Sequence, residues 1–559
     1  MSRFVRASKF RHVYGTPAKR DGCYDNLRIS TNAWDTNVVK ANPKYLSVNW
    51  SSGGGGSFAV LPLDQVGRQT QEVPLFNAHS APVLDTDFSP FNDQIIASAG
   101  EDAKIMLWNI PEEPMEESIT TPAVTLTGHR RSVGHVLFHP TASNVLASSS
   151  ADHTIKLWDV EHGVEKQELD GFGDVVQSLS WNYNGSLLAT TCRDKKIRIH
   201  DVRSNTVIQS GNGHQGIKSS RVTWLGEYDR VCTTGFSRTS DRQLFLWDTK
   251  DFSNPMKQIS IDSSSGNLMP FYDVDTKMLY LAGKAKSDGN IRYYELENDD
   301  LFFLSEYKST EPQRGMAFLP KRALNVNECE IARAFKVTNN MVEPISFTVP
   351  RKADFFQADL FPPAVGDTAP LTAEEFFSGK DANPILIDLE KGFTPTSKPA
   401  LQHVNTGVTS GNTASGLSAS NITSSSSSSS SPSHTPARTP SPVPMDISAR
   451  SAPTTSVSHC RHLISDSFSS SPPSFFSFFL SLPLSYSRVR IPTSLPSPRR
   501  WRALGMKMLK SSTRTPRSKM KIPGSRRSSP RWMISRQPMP PCAPHNPPPP
   551  PLVNHPRTR

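Results

Sequence analysis

GHRRSVGHVLFHPTASNVLASSSADHTIKLWDV, residues 128–160, decides the fold. His129 is followed about thirty residues later by a strand-like run ending in Trp158-Asp159, and the same sentence recurs along the chain. The endings IMLWNI, IKLWDV, IRIHDV and LFLWDT close at Ile110, Val160, Val202 and Thr249, so one type of strand returns every 42 to 50 residues. That period belongs to a β-propeller, in which each repeat is a four-stranded blade that cannot bury its own faces until its neighbours stack on it.

Outward from these four endings the rhythm continues. YLSVNWSSGGGGSFAVLPL, residues 45–63, reads as two short strands joined by a glycine turn, an earlier blade without the Trp-Asp ending. Gly53–Gly56 lacks the following Lys-Ser/Thr and helix of a phosphate cradle, which leaves a hairpin turn. LMPFYDVDTKMLYLAGKAKSDGNIRYYEL, residues 268–296, repeats the pattern with Tyr294 near the Trp place, and a last unit is expected through DLFFLSEYKS (300–309) to Pro350. The fold class is therefore all-β, a seven-bladed propeller over residues 1–350. A ring must close or leave strand edges open, and KFRHVYG, residues 9–15, is the expected closing strand. Residues 351–394 change character, rich in Phe and Pro with one helical stretch at Thr372–Phe377; their aromatics are expected to strap this extension across one face of the ring.

The pattern resembles WD-repeat proteins, in which a His, an Asp, a strand hydroxyl and the Trp hydrogen-bond inside the blade. In the quoted repeat these are His129, Asp152, a serine from Ser148–Ser150, and Trp158. Buried polar groups must be partnered in this way or they cost stability. His79, Trp108, His129, Asp152, Trp158, His214 and Trp247 are accordingly assigned structural roles. No converging metal ligands, nucleophile elbow or P-loop appears in the sequence, so neither a metal, a cofactor nor an enzymatic activity is expected.

Net charge divides the chain. Residues 395–559 hold 21 Lys and Arg against only Asp446 and Asp466, or +19, leaving 41 basic and 49 acidic residues in 1–394, or −8. The overall +11 therefore describes the tail, and specific nucleic-acid binding does not follow from it. Six scattered cysteines without a CxxC pair suit a reducing compartment, and no run of 18 uncharged apolar residues exists to span a membrane. A cytoplasmic location is expected.

Several strings closely resemble the coronin family of actin-filament-binding WD-repeat proteins: SKFRHVYG (8–15), TTGFSR (233–238) followed by RQLFLWD, EPQRGM (311–316), CEIAR (329–333) and TVPRKADFFQADLFP (348–362). The resemblance implies a propeller that binds filamentous actin, prefers newly assembled filaments, works in the turnover of branched actin networks and resides at the actin cytoskeleton. It also implies a filament-contacting Arg a few residues after a Cys-Tyr pair. In CYDNLRIS that residue is Arg28, whose guanidinium suits the acidic surface of actin. A generic WD-repeat adaptor for another complex is the alternative.

Coronins end in a linker and a short coiled coil that sets oligomeric state and helps bind the branch-nucleating complex of actin-related proteins. The linker is here, Ser/Thr/Pro-rich over 395–459 with Ser-Pro or Thr-Pro steps at Ser431, Thr435, Thr439 and Ser441, and too polar to fold on itself. The heptads are missing, so a monomer with poor engagement of that complex is expected. Residues 460–559 form a basic tail expected to be disordered. SFSSSPPSFFSFFLSLPLS (467–485) uses four amino acids with pyrimidine-rich codons and resembles a translated polypyrimidine tract, so residues from about 460 onward are expected to come from a retained intron and a shifted frame.

Overall fold

The computed structural model describes residues 6–284, 288–352, 355–392, 394 and 398–402. The linker beyond 402 with its Ser-Pro and Thr-Pro steps, and the tail of 460–559, lie outside the described residues.

Seven antiparallel sheets follow one another as blades of a closed β-propeller. Blade 1 is built from Val39–Ala41, Tyr45–Trp50, Gly56–Pro62 and Leu75–His79, and blade 2 from Val83–Phe88, Ile95–Gly100, Lys104–Asn109 and Val124–Thr127. Blade 3 uses Val133–Phe138, Val145–Ser150, Ile155–Asp159 and Val164–Leu169. Blade 4 uses Val176–Trp181, Leu187–Cys192, Lys196–Asp201 and Thr206–Asn212. Blades 5 and 6 run from Arg221 to Asp262 and from Asn267 to Tyr307. Each of the two sequence repeats that open at His79 and His129 begins at or just past the end of the outermost strand of one blade and ends in the third strand of the next. The repeat is thus staggered by one strand, and every covalent repeat links two blades.

The core consists of seams between neighbouring blades. Ile95, Leu107 and Val124 of blade 2 pack on Val133, Val136 and Trp158 of blade 3, and comparable buried clusters join every successive pair around the ring. Because inner strands are covered on both faces, they read as nearly continuous apolar runs, and all six residues of Tyr45–Trp50 are buried. Trp108, Trp158 and Trp247 are each only 1% exposed, and truncating such a side chain costs about 3–5 kcal/mol.

Blade 7 takes Gly315–Phe318, Glu330–Val337 and Val342–Thr348 from the end of the repeat region. Its fourth strand is Tyr14–Pro17, paired antiparallel from Tyr14 opposite Thr348 to Pro17 opposite Ile345. The N-terminus therefore closes the last sheet, with two departures from the sequence reading. The pairing residues are 14–17 rather than 9–15, because Phe10 and Val13 turn inward as a wedge into the seam of blades 6 and 7, where Tyr293 donates to the Val13 carbonyl at 2.7 Å. Asp300–Tyr307, assigned above to the last unit, is instead the outermost strand of blade 6, paired with Ile291–Glu297. With the N-terminal strand supplied from elsewhere, blade 7 does not need it. Tyr24–Asp25 continues along the same edge, opposite Val342, and Gly67–Arg68 covers it.

Strands alternate in direction, so the loops of each blade fall on two opposite faces. One face carries the connections between blades and the second-to-third-strand hairpins; the other carries the remaining two connections of each blade. The extension lies wholly on the second face. Leu360, Phe361 and Ala364 enter the seam of blades 6 and 7. Leu371 then bridges Ala142 of blade 3, and the helix Ala373–Phe377, capped by Thr372 and Glu375, sets Phe376 against His139 at 4.2 Å. Leu386–Ile387 returns to pair with Ala364–Val365, and the chain continues past Thr394 to place Leu401 on blades 2 and 3.

Candidate functional site

Arg28 lies on the first face, in the segment that leads from the closing strand into blade 1. Leu27 and Ile29 are buried and Arg28 between them is exposed, the alternation of an extended chain. The backbone around it is pinned: Leu27 donates to the Asn340 carbonyl at 2.8 Å, Ser51 donates to the Arg28 carbonyl at 2.7 Å, and Ile29 bridges Trp50. The guanidinium itself makes no hydrogen bond or ion pair among the described residues. A rigid backbone thus presents a cation with all its donors unspent.

Immediately after, residues 30–37 cross the mouth of the central channel. Trp34 donates to the Gly134 carbonyl at 2.9 Å and its ring lies 5.7 Å from that of His135. A Cβ at residue 134 would stand 2.3 Å from the indole, so glycine is required there for the close approach. Thr36 donates to the Leu84 carbonyl at 2.7 Å. Asp35 accepts from Arg221 at 2.8 Å, Asn267 at 2.6 Å and Lys284 at 3.2 Å. Burial by itself would raise the Asp35 pKa, but Arg221 and Lys284 outweigh it and hold the carboxyl well below the usual range. Burial depresses Lys284 despite Asp35, and holds His135 down at about 4.

Other exposed cations share this face: Arg131 between blades 2 and 3, and Arg193 and Arg238 in the hairpins of blades 4 and 5. Beside the crossing segment opens a cavity of about 490 Å³ lined by Trp34, His135, Arg193, Lys218 and Lys284. Ile217, 86% exposed, stands on its rim. The arrangement offers guanidinium and ammonium groups that can pair with carboxylates of a docked surface. Among the described residues no group of His, Cys, Asp and Glu could hold a metal ion.

The repeat residues assemble inside their blades. His129 contacts Asp152 at 3.0 Å and Ser148 at 2.8 Å, and Trp158 donates to the same serine at 2.8 Å. His79, Asp102, Ser98 and Trp108 repeat the set, at 3.0, 2.8 and 2.9 Å. Burial pushes against ionising Asp152, yet donation from His129, the Arg130 amide and Thr154 keeps its pKa far down. Blade 5 holds a shorter set, with Thr233 joining His214 at 3.0 Å and Trp247 at 2.8 Å, while Asp241 stays in its own turn with Ser237 and Thr239. In blade 4 His200 replaces Trp and meets Thr190 at 3.3 Å.

Sequence reasoning missed Trp34 and Asp35, which flank no recognisable motif, and Asn109, which stands where the other repeats carry Asp. The one available signal was that substitution in IMLWNI.

Comparison with known proteins comes down on the same architecture. Family profiles match a domain of unknown function over residues 3–68 and the WD domain, G-beta repeat, over 70–109 and 120–159. Coronin-like protein crn1 of Schizosaccharomyces pombe is 54% identical over 394 residues, covering 69% of this chain and 65% of its own length, so about a third of that relative falls outside the match. Coronin-A of Dictyostelium discoideum is 49% identical over 72% of this chain and 91% of its own. The crystal structure of the WD40 domain from Toxoplasma gondii coronin aligns with a TM-score of 0.65 at 36% identity, over 67% of this chain and 97% of that one.

Proposed function

Because the chain belongs to the coronin family, we propose that its propeller is a non-catalytic scaffold that docks on filamentous actin through the face bearing Arg28. The observation that supports this most is the combination at Arg28 of a fixed backbone and an unengaged, exposed guanidinium. Preorganisation of this kind lowers the ordering cost of association, and a planar guanidinium pairs a carboxylate through two hydrogen bonds. Arg131, Arg193 and Arg238 add exposed guanidiniums to the same face, interspersed with exposed Glu101, Asp170 and Glu311, so complementarity to an acidic filament surface is local to each guanidinium. The protein then acts in organising filaments and turning over branched networks, in the actin cytoskeleton of the cytoplasm. Its partner is the filament; no nucleic acid is required, and among the described residues no helix is long and apolar enough to cross a membrane.

Cosedimentation of the full chain with filamentous actin across a salt series tests the reading. Saturable pelleting that weakens as salt rises is expected. A folded chain that stays in the supernatant at low salt would overturn it in favour of an adaptor for another complex.

A further inference from the structure

On the face opposite Arg28, the third strand of blade 2 ends in Asn109 where the corresponding strands of blades 3, 4 and 5 end in Asp159, Asp201 and Asp248. Asp159 and Asp201 accept from backbone amides of their own following turns, as Asp248 does from Lys250 at 3.0 Å. Asn109 does something else. Its side-chain amide donates to the Leu401 carbonyl at 2.9 Å and its side-chain carbonyl accepts from the Leu401 amide at 2.9 Å. The two bonds reproduce the pairing that a neighbouring strand would offer an extended peptide. A carboxylate cannot do this, since it accepts only and would face the Leu401 carbonyl with a second oxygen.

The surrounding residues complete a pocket for four residues of chain. Asn92 donates to the Pro399 carbonyl at 3.1 Å. Lys398 donates to the Phe91 carbonyl at 2.5 Å and pairs with Asp367 at 3.3 Å. The Leu401 side chain, 9% exposed, closes the seam cluster that includes Ile95, Leu107 and Val124 of blade 2 and Val160 of blade 3.

We infer that the seam of blades 2 and 3 is a peptide-binding site for an extended Lys-Pro-x-Leu segment, that its occupant is the chain's own Lys398–Leu401, and that Asn109 is its specificity residue. The segment is held by one apolar knob and a few polar contacts, at the end of the described extension. It is therefore a site that can open, releasing the start of the linker and exposing a groove of defined sequence preference. While filled, it fixes residue 402 on the face away from Arg28. An occupant tethered in this way has an effective concentration of roughly millimolar, so the intact chain should exclude a free copy of the peptide.

The test uses the full chain and a fluorescein-labelled peptide TSKPALQHV, residues 396–404. Fluorescence anisotropy should show it binding the Leu401→Asp variant at least about tenfold more tightly than wild type. A peptide with Asp at the Leu position should not bind, and adding Asn109→Asp to the protein should abolish binding. Equal binding to wild type and Leu401→Asp, no binding to either, or indifference to Asn109→Asp would overturn the inference. If thermal melting shows that Leu401→Asp has lost its fold, Leu401→Gly provides the emptied site and is read by the same criteria.

Discussion

Asp35 reaches from the segment before blade 1 to Arg221 at the start of blade 5, 2.8 Å away across the mouth of the channel. The pair joins parts of the ring that are far apart in sequence, and Lys284 of blade 6 shares the same carboxylate. Removing the charge leaves the buried Arg221 and the half-buried Lys284 facing one neutral amide, a loss of up to about 3 kcal/mol, the lower end for broken buried pairs. Asp35→Asn should therefore lower the melting temperature strongly. Because the same segment carries Arg28, filament affinity should fall as well, although residue 28 is untouched. A variant that melts and pellets like wild type would disconnect the crossing segment from both roles.

The two kinds of repeat predict a contrast. Asp152 is the buried acceptor for His129 and the Arg130 amide, whereas Asp241 bonds only within its own turn. Asp152→Asn should cost about 1–3 kcal/mol in urea unfolding, the range for leaving a buried polar partner unsatisfied. Asp241→Asn should stay within about 0.5 kcal/mol. Equal costs would mean that the carboxylate inside the blade matters no more than one in a turn.

Stability should also fall on mild acidification. Burial holds His135, His200 and His214 down at about 4 and His139 at about 3, so all four are neutral in the folded ring at pH 5. Unfolded, they would protonate with pKa values near about 6.5. The unfolded state then binds more protons between those limits, and stability drops as pH falls from about 6.5 toward 4. Burial pushes Asp85 up to about 6 and Asp275 to about 7, and raises Asp93 as well, which opposes the trend with three groups against four. Melting temperatures measured from pH 7 to 5 should decline, and His200→Gln should flatten the slope. A melting temperature constant over that range would contradict the burial of these histidines.

Legibility followed from how local each interaction is. The tetrads of blades 2 and 3 lie within about thirty residues of sequence and use residue types that have few other reasons to recur, so His129, Asp152 and Trp158 could be read directly. Blade 7 could not, because Tyr14–Pro17 joins strands more than 300 residues away and only pairing decides that Asp300–Tyr307 belongs to blade 6. Phe10 and Val13 looked like strand residues but fill a seam. Asp35 is an ordinary acid in NAWDTN until the ring brings Arg221 and Lys284 to it.

In the proposed docking mode, a ring closed by its own N-terminus holds Arg28 rigidly toward a filament. The most direct measurement compares the full chain with Arg28→Glu in actin cosedimentation, alongside thermal melting. The Arg28 side chain is exposed and makes no hydrogen bond or ion pair among the described residues, so the melting temperature should shift little, while reversing the charge should weaken filament binding at least about tenfold. Equal pelleting by the two folded proteins would contradict this docking mode.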